Sequence, residues 1–184
     1  MALRLACRHP ERVTAVVLLD GGPAEAAATP GLRRAMRFAF LLKLFGGEGR
    51  IRRMVRTTLR ERSASPSWVS EEVVDGYMAA GGASASDTLH GLQLMAQARE
   101  PETLVPRLGE IRCPVQLVIG DLPPPVRGIS DAEIHLLASG LAAFDIETVP
   151  NAGHFLFEEN PEAVAAAVGR AIESTRSGHA IASR

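Results

Sequence analysis

The stretch VTAVVLLD, residues 13–20, limits the possible folds of this chain more than any other. It is a nearly continuous β-branched and aliphatic run, without the apolar–polar alternation of a strand wetted on one face. A strand of that kind needs cover on both sides, as in a parallel sheet. Gly21, Gly22 and Pro23 then end it. PVQLVIG (114–120) and DIETVP (145–150) read as two further strands. Helical patterns lie between and around them. ALRLACRH (2–9) is stopped by Pro10. SDAEIHLLASGLAAF (130–144) starts at Ser130, with Glu133 at the capping-box position. NPEAVAAAVGRAIES (160–174) has Asn160 as N-cap and Pro161 at the first helical position, and 175–184 reads as a frayed tail. Strands alternating with helices imply right-handed parallel crossovers and an α/β fold.

Residues 24–108 interrupt that alternation with almost no strand signal. Leu32, Met36, Phe40 and Leu44 recur at helical steps, as do Ile51, Met54, Val55, Thr58 and Leu59. Ser70 before Glu71 and Glu72 reads as an N-cap with an acidic first turn. GGASAS (81–86) is a break, after which Ser86 or Asp87 can cap a helix through Leu89, Leu92, Leu94 and Met95. The region therefore predicts an insertion of several short helices.

A net charge of −1 argues against nucleic acid as the main partner. The longest apolar segment, FAFLLKLF (38–45), is broken by Lys43 and is too short to span a membrane. Cys7 and Cys113 stand far apart and form no metal-binding or disulfide pattern, so a reducing cytoplasm is the expected setting. His90 and His135 lack a paired ligand at metal spacing, and the expectation is no metal and no cofactor. The arginines of 33–62 read as a solvated helical face, and Phe38, Phe40, Phe45 and Met54 as either core or a pocket lining.

Three segments resemble the α/β-hydrolase superfamily. ALRLACRHPERVTAVVLLDGGP resembles the part after the nucleophile, where a helix ending in His-Pro-Glu-Arg-Val leads into the sixth strand. CPVQLVIGD resembles the seventh strand, and DIETVPNAGHFLFEENPEAVAAAV the eighth strand, the catalytic-histidine loop and the closing helix. The resemblance implies a partial α/β-hydrolase fold: core at 1–23 and 109–174, an inserted helical cap at 24–108, and a flexible tail at 175–184. It implies that His154 is the general base. Its acid partner is left between two residues. The family's usual slot after strand seven holds Pro123, which cannot serve, and Asp121 lies near it at another offset. Asp20, at the end of strand six, matches the alternative acid position of some members, certain haloalkane dehalogenases among them. Asp20 leads Asp121 on that ground, and a structural role in place of the catalytic one is the alternative reading of Asp20.

The family's nucleophile elbow, G-x-S-x-G, has no counterpart in the 184 residues; Ser84 in GASAS lacks the final glycine and follows no strand. By the resemblance the nucleophile and the oxyanion hole fall before Met1, and the chain is expected to be inactive alone. The implied function is hydrolysis of a small, apolar substrate, an ester by preference. The rival expectations are a non-catalytic module holding an apolar ligand under the cap, and a remnant without function. The unpaired edge of the strand at 13–20 is expected to self-associate or to take an upstream fragment.

Overall fold

A computed structural model of the chain describes residues 1–23, 47–80 and 102–182, with 87, 90, 91 and 94; at 47, 48, 80 and 174–182 the description covers the backbone alone. The chain divides into two compact units, Met1–Pro23 with Arg62–Ser65 and Thr103–Arg184, and Ala24–Glu61 with Pro66–Glu102. The stripe Leu32–Leu44, the break at 81–86 and most of the helix expected through Met95 lie outside the described residues.

The first unit is a three-stranded parallel sheet of β1 (Val16–Leu19), β2 (Val115–Gly120) and β3 (Phe144–Val149), in that spatial order. The parallel sheet with flanking helices is what the buried-strand pattern predicts, and it is the partial α/β-hydrolase fold that the resemblance implies. Val16 stands opposite Val115, and Val115 opposite Phe144. The helices of this unit are α1 (Ala2–Arg8), α4 (Asp131–Gly140), α5 (Leu156–Glu159) and α6 (Pro161–Ala182).

Side chains alternate across the pleat of β2 and divide the core in two. Val115, Leu117 and Ile119 join Leu3, Ala6, Cys7, Leu108 and Leu137 on one face. Val118 joins Val149, Leu156, Val164 and Ala167 on the other. Both faces of β2 are covered, which explains why its residues are apolar except Gln116, whose amide donates to Glu147 at 2.8 Å. At β1 the Val16 and Asp20 N–H groups donate to Pro114 and Val118 carbonyls of the β2 segment, at 3.0 and 2.8 Å. Those bonds turn Val17 and Leu19 toward the outer edge, where β1 pairs with no other strand among the described residues.

The caps follow the sequence closely. Ser130 and Glu133 make both bonds of the capping box, and Asn160 Oδ1 accepts the Ala163 N–H at 3.2 Å. Two boundaries differ from the sequence pattern. Helix α4 ends at Gly140 because Leu141 turns extended, so Phe144 begins β3 instead of closing a helix. Helix α6 continues through Ala182, beyond the expected end at 174, and the 175–184 segment reads as helix over most of its length.

The second unit contains α2 (Gly47–Glu61) and α3 (Glu71–Ala80). Ser70 caps α3, its Oγ accepting the Val73 N–H at 3.2 Å. Arg52 and Arg56 tie the two helices together: Glu71 lies 2.8 Å from Arg52 and 2.6 Å from Arg56, and Asp75 pairs with Arg52. Three of the expected arginines (Arg33, Arg34 and Arg37) and all three expected pocket phenylalanines lie outside the described residues. No helix among the described residues is long and apolar enough to cross a membrane.

Candidate active site

His154 sits on the loop between β3 and α5, at the carboxyl end of the sheet. That is where the strands of an open α/β sheet present their ligands and reactive groups. Asn151, at the start of the loop, has φ 55°, a left-handed turn that asparagine tolerates. Gly153 follows, and no side chain could replace its hydrogen: a Cβ there would lie 2.4 Å from the Arg62 carbonyl oxygen and 3.0 Å from Val126. The His154 N–H donates to that same Arg62 carbonyl at 2.8 Å. The loop is therefore pressed against the 62–65 segment, and the imidazole is carried by a backbone with little freedom.

Asp20 ends β1 with φ 47°, also in the left-handed region. An aspartate there costs on the order of 1 kcal/mol, and such strain persists where its surroundings hold it. Asp20 has two sets of partners. Its Oδ2 lies 2.7 Å from His154 Nδ1, and its two oxygens accept the Gly128 and Ile129 N–H groups at 2.5 and 3.2 Å. The carboxylate is fully buried, while the imidazole remains 36% exposed. Oδ2 also accepts the Gly128 N–H, so it faces the ring as an acceptor, and its contact with the imidazole is a hydrogen bond when the proton is on Nδ1. This leaves Nε2 as the acceptor of the ring.

The donors are themselves arranged. Arg127 bonds the Ile129 carbonyl at 2.9 Å and Asp131 at 2.5 Å, which shapes the turn that aims the two N–H groups. Gly128 is a residue that sequence reasoning passed over. A Cβ on it would lie 2.4 Å from His154 Nδ1 and 2.8 Å from Asp20 Oδ2. Only glycine allows the backbone to approach the pair that closely. Its sole signal in the sequence was a glycine just before the Ser130 cap.

Asp121 is placed differently. Its Oδ2 accepts the Asn151 N–H at 3.0 Å and its Oδ1 the Ala152 N–H at 3.3 Å. It anchors the start of the histidine loop, and among the described residues its bonds go to backbone. Of the two candidate acids, Asp20 is the one whose carboxylate meets the imidazole.

Among the described residues no group of three or more His, Cys, Asp or Glu could hold a metal ion. Cys7 and Cys113 are unpaired. Burial, and then a hydrogen bond to Glu110, push the Cys7 thiol up from its ordinary value. A concavity of about 480 Å³ opens at the other end of the sheet, against Val16, Val115, Phe144 and Arg170, at the amino ends of the strands.

Solved structures share this arrangement of elements. Cfl2 from Burkholderia cenocepacia is 25% identical with a TM-score of 0.60, over 90% of this chain and 59% of that one. The enol-lactonase from Burkholderia xenovorans LB400 is 18% identical with a TM-score of 0.66, over 94% and 61%. A thermophilic esterase from Thermogutta terrifontis is 18% identical with a TM-score of 0.65, over 95% and 61%. The chain thus spans about three-fifths of the length of these similar structures. No curated protein matches it. The alpha/beta hydrolase family matches residues 1–167, which include the three strands, Asp20 and His154, and the chain belongs to that family.

Proposed function

We propose that this chain carries the acid and base of a hydrolase acting on small, apolar esters, with His154 as general base and Asp20 as its acid partner. The observation that carries the reading is the 2.7 Å contact between His154 Nδ1 and the fully buried Asp20 carboxylate. Asp20 holds the imidazole with its proton on Nδ1 and stabilises the imidazolium when one forms. His154 Nε2 takes the proton of an attacking hydroxyl, and the same proton then goes to the leaving alcohol. A water activated by Nε2 cleaves the acyl-enzyme in the second half.

No G-x-S-x-G occurs in the 184 residues. In this reading the attacking group and the oxyanion donors come from residues outside them. The strand bearing the nucleophile belongs on the outer edge of β1, where Val17 and Leu19 are left without a neighbouring strand among the described residues. A chain lacking that strand would self-associate through the same edge. The ester class is supported by the esterase and enol-lactonase among the similar structures, and a reducing, cytoplasmic setting by two unpaired cysteines.

The test is hydrolysis of p-nitrophenyl esters. The 184-residue chain should show no turnover that depends on His154. A longer in-frame form containing G-x-S-x-G should turn over, and His154→Ala should lower its rate by roughly 10³-fold or more. Turnover in the longer form that ignores the substitution would refute the reading. Turnover in the short chain that vanishes in the mutant would place the nucleophile within it.

A further inference from the structure

Helix α5 closes on a carboxylate that the acid–base pair does not account for. Glu159 ends that single turn, five positions after His154. Its Oε2 accepts the Gly153 N–H at 2.7 Å. Its Oε1 accepts the Ala64 N–H at 2.6 Å and the Ser65 N–H at 3.0 Å. Three backbone donors from two separate segments converge on one side chain. One is the N–H of Gly153, the residue directly before His154; the others follow Arg62, whose carbonyl receives the His154 N–H at 2.8 Å.

The bonds form a closed circuit. Segment 62–65 holds the histidine backbone from one side through the Arg62 carbonyl. Glu159 holds the segment and the preceding glycine from the other. Neither Gly153 nor its neighbours offers a side chain that could do this. Gly153 itself has no room for one, with the Arg62 oxygen 2.4 Å from its Cβ position. A carboxylate suits the place because every group facing it is an N–H donor. An amide would turn an NH₂ toward one of them, and that donor would be left without an acceptor.

We infer that Glu159 is a positioning residue for His154: it fixes the loop so that Nδ1 stays on Asp20. The inference rests on the Asp20–His154 reading above. Asp121 holds the entry to the loop at Asn151 and Ala152, and Glu159 holds it at Gly153, so the imidazole is suspended between two anchored peptides. Asp20 meets the ring only as long as the Glu159 anchor, on the residue next to His154, stands.

The experiment uses the full chain, labelled with ¹⁵N, as the natural form and as Glu159→Gln, Glu159→Asp and Glu158→Gln. It reads the proton on His154 Nδ1, the exchange of the Gly153 and Ala64 amides, and the amide signals of β2. In the natural chain and in Glu158→Gln, the Nδ1 proton should be visible at low field and slow to exchange. In Glu159→Gln it should be lost. The two amides should then exchange roughly tenfold faster or more, as expected when one hydrogen bond is removed. The β2 signals should remain. Glu159→Asp keeps the charge with a shorter reach and should fall between. An unchanged Nδ1 proton in Glu159→Gln would overturn the inference while leaving the acid–base reading intact. Loss of the β2 signals in both Glu159 variants would also overturn it, since Glu159 would then be a requirement of the whole fold. A natural chain folded but without an Nδ1 proton would overturn the acid–base reading itself.

Discussion

Asp20 and Asp121 follow neighbouring parallel strands, β1 and β2, at the same end of the sheet. Each has a carboxylate with two backbone N–H donors. They differ in what else they reach. Asp20 takes a left-handed backbone, is buried completely, and has His154 as a third partner. Asp121 is exposed, and among the described residues it binds the loop's backbone. One orients the ring, and the other orients the peptide that carries it. The difference teaches that offset from a strand's end does not select an acid. Direction does, and direction here is set by the backbone angle of Asp20 and by the Gly128 turn that supplies its donors.

The largest effect should separate the two aspartates by activity. In a longer in-frame form that hydrolyses esters, Asp20→Asn should lower kcat by roughly 10⁴-fold, because an amide favours the wrong imidazole tautomer. Asp121→Asn keeps an acceptor oxygen and should cost less than about tenfold, by the comparison of one positioning bond with the reacting pair. Equal losses would erase the distinction.

Two glycines sharpen it further. A Cβ on Gly120, beside Asp121, would lie 2.0 Å from the Ala152 carbonyl oxygen, where only backbone can yield. Gly120→Ala should destabilise the fold by about 3 kcal/mol, the upper end for overpacking, measured by urea unfolding. A Cβ on Gly128, beside Asp20, meets the His154 ring, which can swing away. Gly128→Ala should cost about 1–2 kcal/mol and displace the imidazole from Asp20. Reversed magnitudes would mean that the Asp20 side is the more rigid of the two.

Much of this was legible in the residues, and the reasons are physical. Runs such as VQLVIG announce strands covered on both faces, and Ser130–Glu133 announces a helix start through local chemistry. Boundaries were less legible where the tertiary fold decides them. β1 is only Val16–Leu19 because pairing with β2 begins at Val16, although Val13 still packs on the core. Phe144 leaves the helical pattern because Leu141 turns extended and β3 claims it. His154 showed itself through its glycine-bearing loop. Its contact with Asp20 spans 134 positions and left the choice of acid open until the backbone was known. Gly128 gave almost no signal, and Glu159 stood out only as part of the Glu-Asn-Pro-Glu stretch after the histidine loop, since their parts depend on how close the backbone passes and on donors brought together from distant segments.

The smallest effect belongs to carboxylates at the other extreme of exposure. Glu71 and Asp75 are held below the usual carboxylate range, first by their hydrogen bonds to Arg52. A depressed value gives stability that is present above the unfolded range, about 3.9–4.3, and is lost as pH falls through the lower folded values. Both groups lie in solvent, so added salt should remove most of this dependence. The check is acid unfolding in dilute buffer and in about 1 M salt, comparing the natural chain with Asp75→Asn. A contribution that survives the salt would show these carboxylates to be less solvated than their exposure implies.

The pair between Asp20 and His154 is tested most directly by the imidazole itself. At about pH 8, where an ordinary histidine is neutral, ¹⁵N signals report which ring nitrogen holds the proton. The natural chain and Asp121→Asn should carry it on Nδ1, and Asp20→Asn should shift it to Nε2. A natural chain with its proton on Nε2, or an Asp20→Asn chain indistinguishable from it, would contradict the pairing.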